Sequence, residues 1–490
     1  MIDTRHRRTA LLIAGCFFME MLDGTIVSTA APQLGAALHT TAASVGLVIT
    51  AYLLTVATLI PLSGWLTARF GPRRILLGAI ALFTLASLAC AASGSLGELV
   101  AMRVLQGVGG AMMVPVGRMA VLGRAEKPDV PKLMAYIVWP GLVAPVLAPL
   151  LGGVITTYAS WHWLFLINLP LGAVAFATAW RLVSDGPQQS PPPLDWAGVL
   201  LSCAGLAGLT WTAHLCSGTR PPWATAAALA VLSLLALAAA ARHLLRTRYP
   251  LVNLRVLATP SLRASTVGGS LFWTVVSAGP FLMPLLFQEV FGWSAVKSGA
   301  VVLFVFVGNI GIKPATTGLL NRYGLRPLLL AGGLCLAATM VAFAFVTAAT
   351  PVAVIAGLAV VSGAARSVGL TGYSVLSVSE MPPERMSDAN TLSATLSQTA
   401  AGLGIAVATV ALRVGGTVST DPNTVYGIAF GLLALITLLA VADAARLHPA
   451  TGDAVRRRRT ASPAQSAKAA PAEAAPAEAG AAEAGATGRP

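Results

Sequence analysis

Charge is scarce in this chain. Only 10% of its 490 residues are Asp, Glu, Lys or Arg, against about 25% in soluble domains. The deficit runs along the whole length, with 56% hydrophobic residues and a mean hydropathy of +0.77. These values exclude an ordinary soluble domain and point to an all-α polytopic membrane protein. Cysteine is sparse too: Cys16, Cys90, Cys203, Cys216 and Cys335 stand singly in apolar runs, without a CxxC pair. They imply neither a disulfide framework nor a metal centre and read as small hydrophobes. His39, His162, His214 and His243 lie at loops or segment ends with no ligand spacing. No GxxxxGK[ST] loop occurs, so work done by the chain must draw on an ion gradient and not on a bound nucleotide. The ten-residue alternation of a membrane barrel is also missing, which leaves helices as the spanning elements.

About fourteen apolar segments reach the roughly 20 residues that a span needs. The first follows Arg5, Arg7 and Arg8, but it is too long for a signal peptide and runs into a charged motif. With the N-terminus inside, the inner segments and termini hold twenty-three Lys and Arg. The outer loops hold three: Arg220, Lys297 and Arg413. This asymmetry predicts cytoplasmic termini and an even span count. It also accounts for most of the formal charge of +14, which serves orientation and contact with anionic lipid, not nucleic acid. A Pro-rich stretch at 185–195 and a basic one at 242–264 divide the spans into six, two and six. The expected domains are therefore 1–184, an insert at 185–264, 265–448, and a disordered cytoplasmic tail at 449–490, rich in Ala, Pro, Glu and Gly.

Motifs fall at matching places. "GWLTARFGPRR" (64–74) joins spans two and three, and the related "GLLNRYGLR" (318–326) joins spans ten and eleven. Paired loops of this kind indicate an internal repeat, a mark of secondary transporters. "LDGTIVSTAAP" (22–32) lies in span one, "RVLQGVGGA" (103–111) in span four and "APVLAPLLGG" (144–153) in span five. Together these stretches resemble the signatures of the major facilitator superfamily, in particular its fourteen-span drug–proton antiporters. The similarity covers about residues 10–446. It implies a fold of two six-helix bundles with two inserted helices. It also implies gating roles for Gly64, Arg69, Gly71 and Arg73 in motif A, for Gln106 and Gly107 in motif B, and for Pro149, Gly152 and Gly153 in motif C. Two departures stand out. Motif A has Ala68 where the family usually carries an acid and Pro72 where it carries a base; motif C has Ala144 and Ala148 in place of glycines. Pro140 and Pro145 are expected to kink or loosen span five.

Span one holds two acids, Glu20 and Asp23. An acid at the bilayer centre costs roughly 2.5–3.5 kcal/mol. At a rise of 1.5 Å per residue these two lie roughly 15–20 Å deep, and at i and i+3 they share a face. Two acids on one face fit a water-lined cavity or a proton site. The alternative is simple pairing with a neighbouring helix. Arg103 enters span four from the outer side at a depth matching Asp23, so a pair that opens on protonation is expected. The resemblance implies the same proton-coupling role for Asp23 and Arg103; Glu20 is outside the motif, and its role rests on position. In the second half, Lys313 and Arg366 sit among small residues that leave room for a substrate cavity. Phe272 and Trp273 are candidates for its wall and Glu289 for a gate. Against these stand plainer readings: lipid phosphate or helix carbonyls for the cations, solvent for Glu289. Asp195 is expected to cap span seven, and Asp388 to open span thirteen.

The sequence thus reads as a monomeric, multi-pass inner-membrane transporter, not an enzyme, without cofactor and driven by the proton-motive force. It exports small amphiphilic molecules, as drug or antibiotic efflux does, by alternating access. The buried cations favour a second reading, a dedicated exporter of one anionic or zwitterionic metabolite, antibiotic or lipid. A non-transporting scaffold or receptor is a third; it has no reason to bear the insertion cost of midplane charges.

Overall fold

The computed structural model describes residues 4–122, 130–184, 193–217, 222–382 and 385–448. The expected tail at 449–490, most of the 185–195 linker, and Arg124, Lys127, Arg220 and Arg456 to Arg459 lie outside the described residues. Fourteen helices are long and apolar enough to span: α1 His6–Thr29, α2 Ala42–Leu59, α3 Pro72–Ala91, α4 Leu96–Val121, α5 Lys132–Tyr158, α6 Trp163–Leu182, α7 Trp196–Cys216, α8 Trp223–Arg246, α9 Pro260–Val290, α10 Ala295–Thr316, α11 Leu325–Ala344, α12 Val352–Val378, α13 Met386–Val418 and α14 Pro422–Ala445. The described residues contain no strand. In lipid, a backbone must satisfy its own polar groups, and an uninterrupted helix does so.

The packing repeats between the first and last six spans. Helix α1 packs on α5, α2 on α4, α3 on α4 and α6; in the second half α9 packs on α13, α10 on α12, α11 on α12 and α14. The halves meet through α2 against α13 and α5 against α10, a reciprocal exchange that obeys the same two-fold logic. The insert pairs α7 with α8, and α7 leans on α2 and α13. The fold is thus two six-helix bundles plus two added helices.

Local chemistry repeats as well. Short helices Leu62–Phe70 and Lys313–Tyr323 end at Gly71 (φ 84°, ψ 151°) and Gly324 (φ 84°, ψ 176°). This backbone region is almost closed to side chains, so glycine is required at both turns. Two residues on, Arg73 donates to the Trp180 carbonyl at the end of α6 (3.0 Å), and Arg326 to the Ala445 carbonyl at the end of α14 (2.8 Å). Each arginine satisfies a C-terminal helix carbonyl that has no intrahelical donor. Arg69 and Gly64 are exposed.

Helix α5 stays continuous through Pro140, Pro145 and Pro149. Its motif C glycines permit close approach: a Cβ on Gly152 would lie 2.8 Å from the Ile26 carbonyl of α1, and Gly153 abuts the Ala295 backbone of α10. Gly299 of α10 in turn abuts the Pro149 backbone. The two α5–α10 contacts join the halves on the face away from the N-terminal end of α1. Gln33 donates to Gln288 (2.8 Å), which donates to the Thr29 carbonyl (2.8 Å) on that same face. On the other, amino-side face, the end of α2 and the start of α13 flank a groove of about 600 Å³, lined by Gly64, Trp65, Ala68, Asp388 and Thr391 with linker residues. Contacts between the halves thus close the far face, and the amino side carries a groove between them.

Asp195 caps α7 by accepting from the Gly198 amide (2.9 Å). It also accepts from the Leu251 amide (3.2 Å) and pairs with His243 of α8 (2.6 Å). Asp388 lies in the first turn of α13 and accepts from Asn253 (2.7 Å).

Candidate functional site

Asp23 and Arg103 form an ion pair with neither side chain exposed. A buried charge is tolerable only when it is paired and hydrogen-bonded; here the partners come from four helices, and of the Arg103 guanidinium only Nη2 is left without an acceptor. Gln106, one turn beyond Arg103 on α4, donates to Asp23 Oδ1 (2.9 Å). Asn168 of α6 donates to the same oxygen (2.8 Å). Both amides also donate to Ser87 Oγ of α3, at 3.0 and 2.9 Å, and that hydroxyl donates in turn to the Phe165 carbonyl (3.1 Å). Gln106 Oε1 accepts from Arg103 (2.7 Å), whose Nε reaches the Val48 carbonyl (3.3 Å). The guanidinium lies 4.3 Å from the centre of the Tyr52 ring, a favourable cation–π placement. Motif B thus has a physical meaning: its Arg and Gln, at i and i+3, face the acid together. Gly107 gives the room, since a Cβ there would lie 2.8 Å from Thr55 Cβ and 3.0 Å from the Tyr52 carbonyl.

In front of this network a cavity of about 380 Å³ lies between the halves. That is a ligand-sized volume. Glu20 lines it, but Asp23 does not: the Asp23 carboxylate sits behind the wall, held by its own half. Glu20 is 6% exposed and its Oε2 has no hydrogen-bond partner. The Tyr52 hydroxyl, also in the wall, has none either. The two acids therefore differ in environment despite their shared face: one is saturated with donors, the other opens to the cavity. Lys313, Arg366 and Trp273 line the opposite half of the cavity.

One expected wall residue and the expected gate are elsewhere. Phe272 is 1% exposed and packs against Gly369 and the Tyr373 ring, inside the second bundle. It neighbours Trp273 in sequence, but one residue turns the helix by about 100°. Glu289 is exposed at the end of α9, where it accepts from the Tyr426 hydroxyl (2.7 Å). It borders no part of the cavity. Conversely, Ser87, Asn168 and Tyr52 emerge only from the structure. Asn168 carried a signal: it is a lone amide in the apolar run "WLFLINLP".

Two pseudo-symmetric six-helix bundles around a central cavity, with a fully buried ion pair beside it, define a membrane transporter of the alternating-access type. The family model of the Major Facilitator Superfamily matches residues 13–409, and the chain belongs to that superfamily. It is 37% identical over 466 residues to a multidrug resistance protein, MdtD, of Cronobacter sakazakii, covering 92% of this chain and 97% of that protein. The MdtD protein of Pectobacterium atrosepticum is 36% identical over 407 residues, covering 82% and 86%. Among solved structures, the nucleoside transporter NupG superposes with a TM-score of 0.62 at 13% identity, covering 90% of this chain and 98% of that one. A D-xylose–proton symporter gives 0.61 at 17%, covering 88% and 96%. At such identities the structural likeness speaks for the fold alone.

Proposed function

We propose that the protein is a proton-driven exporter of small amphiphilic molecules. The observation that carries this reading is the buried Asp23–Arg103 pair, held within the first bundle and separated from the cavity only by its wall. Protonating Asp23 removes the charge that holds Arg103. The freed guanidinium then favours other acceptors, and the α1–α4 contact changes. That coupling biases the equilibrium between the two access states, provided the states differ in their affinity for the proton. Glu20 is the cavity-facing carboxylate that exchanges protons or meets cargo. Gly153 and Pro149, against Ala295 and Gly299 of α10, form the far-face seam that must part for release, with Gly152 holding α5 against α1. The MdtD relatives, named for multidrug resistance, support efflux as the direction.

In this reading the chain lies in the inner membrane as a monomer, with both termini cytoplasmic. The excess of Lys and Arg on the amino-side loops supports that orientation. The groove between α2 and α13 would then face the cytoplasm. Transport needs no resident cofactor and no covalent chemistry. One proton crossing 100 mV supplies roughly 2.3 kcal/mol.

The test is accumulation of unrelated dyes and antibiotics in pump-deficient cells, with wild type and Asp23→Asn at matched membrane levels. Wild type should lower accumulation and Asp23→Asn should not. Equal activity of the two removes Asp23 from coupling; no activity of wild type on any compound sinks broad efflux.

A further inference from the structure

The charges around the cavity are divided by half. Among the described lining residues, the first bundle contributes one ionisable acid, Glu20; the second contributes two cations, Lys313 and Arg366, and no acid. Phe306 and Asn309 stand three apart on one face of α10, and Lys313 follows at the start of the short helix Lys313–Tyr323; all three line the cavity. Arg366 comes from α12. Helices α10 and α12 approach to backbone contact where Gly308 meets Val360 and Gly363 meets Val305. That contact brings the Arg366 guanidinium within 5.2 Å of the Phe306 ring centre. Its Nε and Nη1 are buried without an acceptor. A buried donor left unmade is costly, more so when charged. Glu20 does not relieve it: the Oε2 of that carboxylate has no hydrogen-bond partner, and Glu20 faces the charge of Arg118 on its own side.

We propose, building on the export reading above, that the cargo is an amphiphile with an anionic head, a carboxylate or phosphate-type oxyanion. Arg366 and Lys313 take the head, and Trp273 and Phe281 take the apolar body. The planar guanidinium offers a fork that matches two oxygens, while Lys313 adds a point charge. The electrical consequence is distinctive. A monoanion leaving as one proton enters moves two charges in the same electrical sense. A monovalent cation leaving for one proton moves none. Each charge across 100 mV shifts a steady-state gradient roughly fifty-fold.

The experiment uses the full chain in liposomes, with the pH gradient fixed and the potential set by potassium and valinomycin. The probes are fluorescein as a carboxylate, naphthyl phosphate as a phosphate and ethidium as a cation. Thermal stabilisation by each probe, without any gradient, is measured in parallel. At least one anion should accumulate more steeply with potential than ethidium does. Arg366→Gln should lower the anion-to-ethidium uptake ratio at least tenfold and abolish stabilisation by the anion. Lys313→Gln should act in the same direction, more weakly, and serves if Arg366→Gln fails to fold. Which anion wins separates the two head groups. Ethidium uptake without anion uptake or stabilisation overturns the cargo class while export stands. Anion stabilisation lost in Arg366→Gln, with no proton-driven uptake of any probe, keeps the cargo class while export fails. No stabilisation and no uptake by any probe overturns both.

Discussion

Replacing Arg103 with alanine is the perturbation whose effect the geometry fixes best. In the wild type, Asp23 accepts from Arg103, Gln106 and Asn168, and Arg103 also satisfies Gln106 Oε1 and the Val48 carbonyl. Arg103→Ala leaves a carboxylate in a site with no solvent exposure and takes one donor from Gln106 Oε1, which keeps Cys90, and one from the Val48 carbonyl. Breaking one partner of a buried pair costs roughly 3–5 kcal/mol. A folded protein has a net stability of about 5–15 kcal/mol, so the loss is large. Removing both charges is different. Asp23→Asn with Arg103→Gln keeps amide partners for Gln106 and Asn168, and such neutral replacements are often close to isoenergetic. The assay is unfolding in detergent for the cycle of wild type, Asp23→Asn, Arg103→Gln and the double variant, with Arg103→Ala measured alongside. Arg103→Ala should be the least stable, and the neutral double variant should come within about 1 kcal/mol of wild type, with a coupling energy above about 2 kcal/mol. Both variants should lose proton-driven uptake. A coupling energy below about 0.5 kcal/mol, within ordinary additivity, would refute the buried pair as described.

Other consequences are quicker to check. Gly71→Ala and Gly324→Ala should each cost roughly 1–3 kcal/mol, because both turns need a backbone that side chains avoid; Gly64→Ala, with open space around it, should be neutral or slightly stabilising in the same unfolding assay. Asn168→Ala should cost about 1.5–3 kcal/mol for a hydrogen bond to a charged group and lower proton-driven uptake, whereas loss of stability alone would make Asn168 structural only. The Asp195 carboxyl is pushed up by burial, but its bonds from Gly198, His243 and Leu251 outweigh that and hold it below its ordinary value. Its folded value is depressed, so its contribution is full above about pH 4 and is lost as pH falls through the folded value. The stability gap between wild type and His243→Ala should therefore be present at pH 7 and shrink below pH 4; a gap that stays constant refutes the linkage. Ala68→Asp sets a second carboxylate in the groove that holds Asp388. Repulsion of about 1 kcal/mol should raise the ratio of molecules with α2 and α13 apart on the amino side to those with them together about fivefold, read as spin-label distances between the two helices.

How much of this was legible without coordinates depends on the range of each signal. Fourteen spans were, since a span is a local property of about 20 residues and needs no partner. The fold class followed from the same counting plus two loops whose glycines recur in register, Gly71 and Gly324. Asp23 and Arg103 were legible because charge in a span is costly wherever its partner lies. Their shell was not. Ser87, Gln106 and Asn168 meet around the carboxylate from three helices, and a serine or amide in a span is too cheap to stand out alone. Gln106 was placed by motif resemblance, not by any visible need of Asp23. Side-chain direction was the other limit. Phe272 and Trp273 are adjacent, equally aromatic and equally deep, yet a turn of about 100° sends one into the bundle and the other into the cavity. Glu20 and Asp23 differ in the same way. Three residues on a helix give about 300°, an offset of about 60°, enough to put one acid in the cavity wall and the other behind it. The sequence pair looks like one site, and the structure separates it into a carboxylate held behind the wall and one that faces the cavity.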